Sequence, residues 1–124
     1  IMVSGSKIPK IKITNNINEA SSKITKYKLG LAIVMKKNIV AGILTDGDAR
    51  RSLRYNLKSQ SLTKIMTPNP LFISENSTAS KALAIMNKKK VTSLLVTSEK
   101  DLNKKNKKLI GIVHIHSLLQ FGVK

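Results

Sequence analysis

Apolar residues recur along the chain in two rhythms, one near 3.6 residues and one extended, and their alternation predicts the elements. Ile11-Lys-Ile13 alternates as a short strand. Asn16 followed by Glu19 has the spacing of a capping box, and Ile17, Ala20, Ile24 and Tyr27 then fall on one helical face. Leu31–Met35 is a continuous apolar run; after the turn Lys36-Lys-Asn38 the chain returns as Ile39–Thr45, its hairpin partner. A second helix is expected from about Asp48 to Tyr55, followed by a polar loop, Asn56–Ser61. Leu62–Met66 is a turn of helix that must stop before Pro68. Leu71–Ile73 begins the pattern again. Ser77 is placed to cap a helix whose apolar face is Ala79, Ala82, Leu83 and Met86, closed by Lys88–Lys90. Ser93–Val96 and Leu109–Val113 are the next strands, Glu99–Lys108 is a charged and mobile surface excursion, and His116–Phe121 is a last helix stopped by Gly122.

Each half thus reads strand–helix–strand–strand–helix, and the halves are worn copies of one another. Ile17–Ala20 answers to Ala79–Ala82 and Leu31–Val34 to Ser93–Val96, at an offset of 62. Gly42-Ile-Leu-Thr answers to Gly111-Ile-Val-His at an offset of 69, the difference being absorbed by the longer loop Thr97–Lys108. A duplicated unit of this size seldom buries its apolar face alone, so the copies are expected to pack about a pseudo-twofold axis. The predicted class is α/β (α+β), with residues 1–61 as the first motif and 62–124, linker included, as the second. The opening Ile1 before Met2 points to a piece of a longer protein.

Composition narrows the possibilities. Hydrophobic content is 41% but aromatic content only 3%, so the core must be aliphatic. Without cysteine there is no disulfide scaffold and no thiolate zinc site, which fits a reducing, cytoplasmic setting. No apolar run reaches the roughly 18–20 residues of a membrane span, so no membrane partner is expected. The net charge of +17 suggests nucleic acid, yet the basic residues are overwhelmingly lysine and are spread along the whole chain. Tyr27, Tyr55, Phe72 and Phe121 form no stacking array among them, so drift toward Lys, Ile and Asn explains the charge better. The resulting positive field still attracts small anions.

The richest chemistry lies in Gly42-Ile-Leu-Thr45-Asp46-Gly47-Asp48-Ala-Arg50-Arg51. A strand ends there, a hydroxyl and two carboxylates follow, and a helix begins with free N–H groups. Helix N-termini accept anions, and arginines reinforce them. Thr45 suits a phosphate or ribose, Arg51 a phosphate, and Asp48 a ribose diol; against this, Thr45 or Asp46 could simply cap the helix. The Asp-Gly-Asp spacing lacks further acidic partners for a metal. In the second copy His114 stands for Thr45 and Ser117 for Asp48, so an equivalent second site is not expected. His114 and His116 could donate to a phosphate or sugar acid, or be one buried and one solvated ring; as a metal pair they lack a third ligand. Thr92 and Ser93 open a strand that could face the same cleft, or show ordinary strand polarity. Met35, Met66 and Met86 read as core filler. No Ser/His/Asp triad, paired catalytic carboxylates or P-loop can be assembled.

A strand ending Gly-apolar-apolar-Thr-x-x-Asp, repeated behind an amphipathic helix and linked through Ile65-Met66-Thr67-Pro68, resembles the cystathionine-β-synthase (CBS) domain pair, or Bateman module. The likeness runs from about Pro9 to Val123. Its wording, in Gly42–Arg51, Val91-Thr-Ser93 and Gly111–Leu119, is similar to the C-terminal CBS pair of D-arabinose-5-phosphate isomerases. The resemblance implies nucleotide binding between paired motifs by Thr45, Asp46, Asp48, Arg51, Met66, Thr67, Thr92, Ser93, His114, His116 and Ser117. It further implies a non-catalytic regulatory piece of an enzyme that interconverts D-ribulose 5-phosphate and D-arabinose 5-phosphate for Kdo and lipopolysaccharide synthesis. Candidate ligands are then AMP, ATP or the sugar nucleotide CMP-Kdo, and candidate partners are an N-terminal isomerase domain and further copies of the chain as a homo-oligomer. The competing reading is an oligomerisation module with a vestigial cleft. A third, basic nucleic-acid binding, predicts steeply salt-dependent association with arbitrary DNA.

Overall fold

The computed structural model describes residues 3–54 and 62–120. In chain order the elements are β1 (Val3–Ser4), β2 (Lys10–Lys12), α1 (Ile17–Tyr27), β3 (Leu31–Lys36), β4 (Ile39–Thr45), α2 (Asp46–Arg54), α3 (Leu62–Ile65), β5 (Thr67–Pro68), β6 (Phe72–Ser74), α4 (Ala79–Lys89), β7 (Ser93–Thr97), β8 (Gly111–His114) and α5 (Ile115–Gln120). Strand–helix–strand–strand–helix occurs twice, as the repeats require, and the class is α+β. The chain divides into two compact units, one of residues 6–70 and one that starts at Leu71 and takes in β1.

In the first unit the sheet order is β2-β3-β4-β5. β2 runs parallel to β3, which α1 makes possible as the crossover, while β3 and β4 form an antiparallel hairpin from Leu31↔Thr45 to Lys36↔Ile39. Asn16 and Glu19 do form the capping box: the Glu19 N–H donates to Asn16 Oδ1 at 2.9 Å and the Asn16 N–H to Glu19 Oε1 at 3.2 Å. Ile17, Ala20 and Ile24 pack with Ile11, Ala32, Val34, Leu44, Ala49 and Leu62. Ile17, Leu44 and Leu62 are almost wholly withdrawn from water, each contributing roughly 1.5–3 kcal/mol.

The second unit has the order β1-β8-β7-β6, with β6 parallel to β7 across α4 and β7 antiparallel to β8. Ile73, Ala82, Leu83, Met86, Leu94, Val96 and Leu118 form its core. The Thr97–Gly111 connection begins as consecutive turns: the Asp101 N–H donates to the Ser98 carbonyl, the Lys104 N–H to the Asp101 carbonyl, and Lys104 Nζ pairs with Asp101 at 3.0 Å.

Several boundaries differ from those read in the sequence. Thr78, not Ser77, caps α4: the Lys81 N–H donates to Thr78 Oγ1 at 3.1 Å, while the Ser77 N–H closes a turn onto the Ser74 carbonyl. α2 starts at Asp46 rather than Asp48, and α5 at Ile115 rather than His116. β8 begins at Gly111, two residues after the expected Leu109. Residues 62–70 lie within the first compact unit, where α3 supplies Leu62 to its core and β5 pairs with β4. Tyr55, the Asn56–Ser61 loop, Phe121 and Gly122 lie outside the described residues.

Candidate functional site

β4 ends at Thr45, where the Asp46 N–H donates to the Gly30 carbonyl at 2.9 Å and α2 begins. There Thr45 and Asp48 bind one another reciprocally. The Asp48 N–H donates to Thr45 Oγ1 at 3.0 Å, and the Thr45 N–H donates to Asp48 Oδ2 at 3.0 Å. This is the logic of a capping box with Asp in place of Glu: two backbone donors that the helix leaves orphaned are satisfied by two side chains. The other Asp48 oxygen, Oδ1, accepts from Arg51 Nη2. Asp48 is only 6% exposed, whereas the Arg51 side chain is 64% exposed. The guanidinium can therefore be reached from solvent while the carboxylate that orients it is hidden.

The hydrogen bonds do not exhaust the junction. A hydroxyl has one donor and two acceptor lone pairs, so Thr45 still has its O–H to give. Each Asp48 oxygen retains a second lone pair, and the guanidinium has five N–H donors of which Asp48 engages one. Asp46 takes no part: it pairs with Arg50 at 3.3 Å on the exposed side of the helix. A carboxylate at each of positions 46 and 48 also complements the positive end of the helix dipole.

Met66 directly precedes β5, and Thr67 on β5 pairs with Ile43 of β4 rather than with Thr45. Met66 packs on the first unit's core, as a filler side chain would. The approach is close enough to demand glycine: a Cβ on Gly42 would lie 2.7 Å from the Thr67 carbonyl oxygen and 2.8 Å from Met66 Sδ. Thr67 itself is exposed on the short edge strand β5.

In the second unit, Ser93 pairs across the sheet with His114, and the Ile115 N–H donates to the Thr92 carbonyl at 2.8 Å. His114 uses its ring as Thr45 uses its hydroxyl, Nδ1 accepting from the His116 N–H at 3.1 Å. The two imidazoles meet edge to face, with centroids 4.7 Å apart. Burial of the His114 ring, then the neighbouring His116, lowers its pKa from the ordinary histidine value. Ser117 holds the Asp48 position, but among the described residues it returns no hydrogen bond to His114. Thr92 and His116 are exposed, Ser93 and Ser117 half-buried.

Two features escaped the sequence reading. A cavity of about 140 Å³ in the second unit is lined by Ile73, Ser74, Glu75, Thr78 and Val113 among others, and none of these stood out by type or spacing. A larger recess of about 390 Å³ in the first unit gathers lysines from separated segments. Among the described residues no three His, Asp or Glu side chains converge as a metal site would need, and no helix is long and apolar enough to cross a membrane.

A family model described as CBS domain matches residues 62–124. The arabinose 5-phosphate isomerase KdsD of Escherichia coli strain K12 is 31% identical over 126 residues, an alignment taking in 99% of this chain and 36% of the enzyme. The chain spans little more than a third of the length of the curated relatives it matches. Among solved structures, the CBS domain pair of protein MJ0100 in complex with 5'-methylthioadenosine and S-adenosyl-L-methionine superposes with a TM-score of 0.80 at 18% identity, covering 96% of this chain and 90% of that one. CBSX2 in complex with AMP does so with a TM-score of 0.77 at 19% identity, covering 97% and 90%.

Proposed function

The chain belongs to the CBS domain family, and on that premise we propose that it is the nucleotide-sensing, non-catalytic part of a longer arabinose-5-phosphate isomerase. The observation that carries the reading is the Thr45–Asp48–Arg51 junction. A hidden carboxylate, a hydroxyl with its proton to give and an accessible guanidinium meet at the N-terminus of α2. In this reading the exposed Arg51 guanidinium takes a phosphate, and Thr45 and Asp48 take sugar hydroxyls. Support from relatives is twofold. KdsD, an arabinose 5-phosphate isomerase, matches nearly the whole chain, and the similarly folded CBSX2 and MJ0100 were solved with adenine-containing ligands. AMP and ATP are therefore the first ligands to try, with CMP-Kdo as the sugar nucleotide suggested by the isomerase relatives. A ligand held here biases an attached isomerase domain only by its difference in affinity for that enzyme's two states. Cytoplasmic location and self-association belong to the same proposal.

Calorimetric titration with AMP, ATP, CMP and CMP-Kdo tests it. Saturable binding to the wild-type chain that weakens in Asp48→Asn supports the reading; no binding of any of the four at millimolar concentration removes it. One observation favours a second reading, an assembly module whose ligand groove is vestigial: Thr45 and Asp48 already serve one another as the reciprocal cap of α2. That reading expects no thermal stabilisation by nucleotide and self-association that depends on protein concentration alone.

A further inference from the structure

A recess at the opposite end of the first sheet gathers lysines that form no ion pair with a carboxylate. Four lysines reach it from three places: Lys10 and Lys12 from β2, Lys23 from α1 and Lys37 from the β3–β4 turn. It is an open depression of about 390 Å³, a volume within the range of small-ligand sites, with Ile11 and Met35 among its lining residues. Lys37 holds a left-handed backbone, φ 58°, in a two-residue turn between Lys36 and Ile39. β4 spans seven residues from this turn to Thr45, about 20 Å at the rise of an extended strand, so the recess is separate from the capping junction.

All six acidic residues of the chain are among those described, and none forms an ion pair with these four lysines. The nearest in sequence, Glu19, is committed to the helix cap, its oxygens accepting from the Asn15 amide at 2.8 Å and the Asn16 N–H at 3.2 Å. Lysines on an edge strand have a familiar use in blocking edge-to-edge pairing, which accounts for Lys10 and Lys12 on β2. It does not account for Lys37 on a turn, nor for Lys23, whose Nζ lies 5.4 Å from the Tyr27 ring centroid while its side chain lines the same space. Four like charges around one recess repel, and a multivalent anion relieves that repulsion.

We propose that this recess binds a compact anion carrying two or more phosphate groups. Lysines act as point charges with freely rotating donors, suited to tetrahedral oxyanions, whereas the planar fork that favours carboxylates belongs to arginine, absent from the recess. Two linked phosphates bring three to four negative charges at neutral pH, the number that balances four ammonium groups.

Calorimetry with inorganic tripolyphosphate at about 0.1 M salt tests the site, where exposed charges beyond about 10 Å are screened. The wild-type chain is expected to bind with one-to-one stoichiometry. Combining Lys10→Gln, Lys12→Gln, Lys23→Gln and Lys37→Asn should weaken binding on the order of tenfold to a hundredfold, because exposed pairs are weak singly and four are lost together. A control with the same charge change in the other unit, Lys81→Gln, Lys88→Gln, Lys100→Gln and Lys105→Gln, should stay within about twofold. The double variant Lys23→Gln, Lys37→Asn leaves the edge strand untouched and should lie between wild type and the quadruple variant. Equal losses in recess and control variants overturn the proposal, as does binding without a defined stoichiometry. Equal, steeply salt-dependent binding of a single-stranded oligonucleotide by all variants, with no recess-specific loss of tripolyphosphate, assigns the attraction to the diffuse field instead and also overturns it. Because the four positions lie outside the Thr45–Asp48 junction, failure here leaves the nucleotide proposal standing, and the reverse.

Discussion

Replacing Asp48 separates what holds the fold from what could hold a ligand. Asp48→Ala removes the acceptor for the Thr45 N–H, a negative charge in the first turn of α2 and the partner of Arg51. Loss of a capping acceptor costs about 0.5–2 kcal/mol, and loss of the favourable charge about 0.3–1 kcal/mol. With Arg51 64% exposed, its ion pair adds only a few tenths of a kcal/mol after solvent screening. The total is about 1–3 kcal/mol. For 124 residues, unfolding entropy of roughly 2.1 cal/mol/K per residue converts 1 kcal/mol into about 4 °C, so the midpoint should fall by about 4–12 °C. Asp48→Asn keeps an oxygen for the Thr45 N–H but loses the charge and places an NH2 group where Oδ1 accepted from the exposed Arg51, for which about 1–5 °C is expected. Thermal unfolding followed by circular dichroism measures both. An Asp48→Ala variant melting within a degree of wild type would refute the reciprocal cap. The ligand role is read from AMP affinity in Asp48→Asn at a temperature where both proteins are folded. Loss of a charge-assisted hydrogen bond to ribose should weaken binding by roughly tenfold or more, and unchanged affinity excludes Asp48 from contact with the sugar.

Two further outcomes follow from the same geometry. Gly42→Ala places a methyl group 2.7 Å from the backbone oxygen of Thr67, which cannot step aside without breaking the β4–β5 pairing, so chemical denaturation should show a loss of about 1–3 kcal/mol; a neutral substitution would mean that β5 is free to move. His114 has its pKa lowered, so the unfolded chain takes up the proton first as pH falls: its contribution to stability is complete above about pH 6.5 and is lost as pH drops through the folded value. Urea midpoints of wild type and His114→Asn should therefore converge between pH 7.5 and 5.5, the protonated ring also losing its Nδ1 acceptor for the His116 N–H, and a pH-independent difference would refute this account.

Local signals in the sequence determined most of the elements, because they need only neighbours. The Asn16–Glu19 spacing, the 17, 20, 24 apolar stripe and the Leu31–Met35 and Ile39–Thr45 runs specify α1 and the first hairpin through contacts within a few residues. Repetition of that pattern was enough to expect two units of one order. Where two capping residues stood side by side, as at Ser77 and Thr78, composition could not choose: the choice depends on which hydroxyl reaches an orphan helical N–H, here Thr78 Oγ1 at the Lys81 N–H. The Thr45–Asp48 spacing was legible as either a cap or a sugar grip. Only the fold established the reciprocal bonds and the burial of one carboxylate beside an accessible guanidinium. The lysine recess was invisible in sequence for a plainer reason. Twenty-seven positions separate Lys10 from Lys37, and in a chain rich in lysine nothing marks four as neighbours until parallel pairing of β2 with β3 brings the strand and the turn to the same end of the sheet. Periodicity carries short-range structure because it reflects each residue's own exposure, whereas a site made of distant segments exists only once the chain has paid the entropy of closing the loops between them.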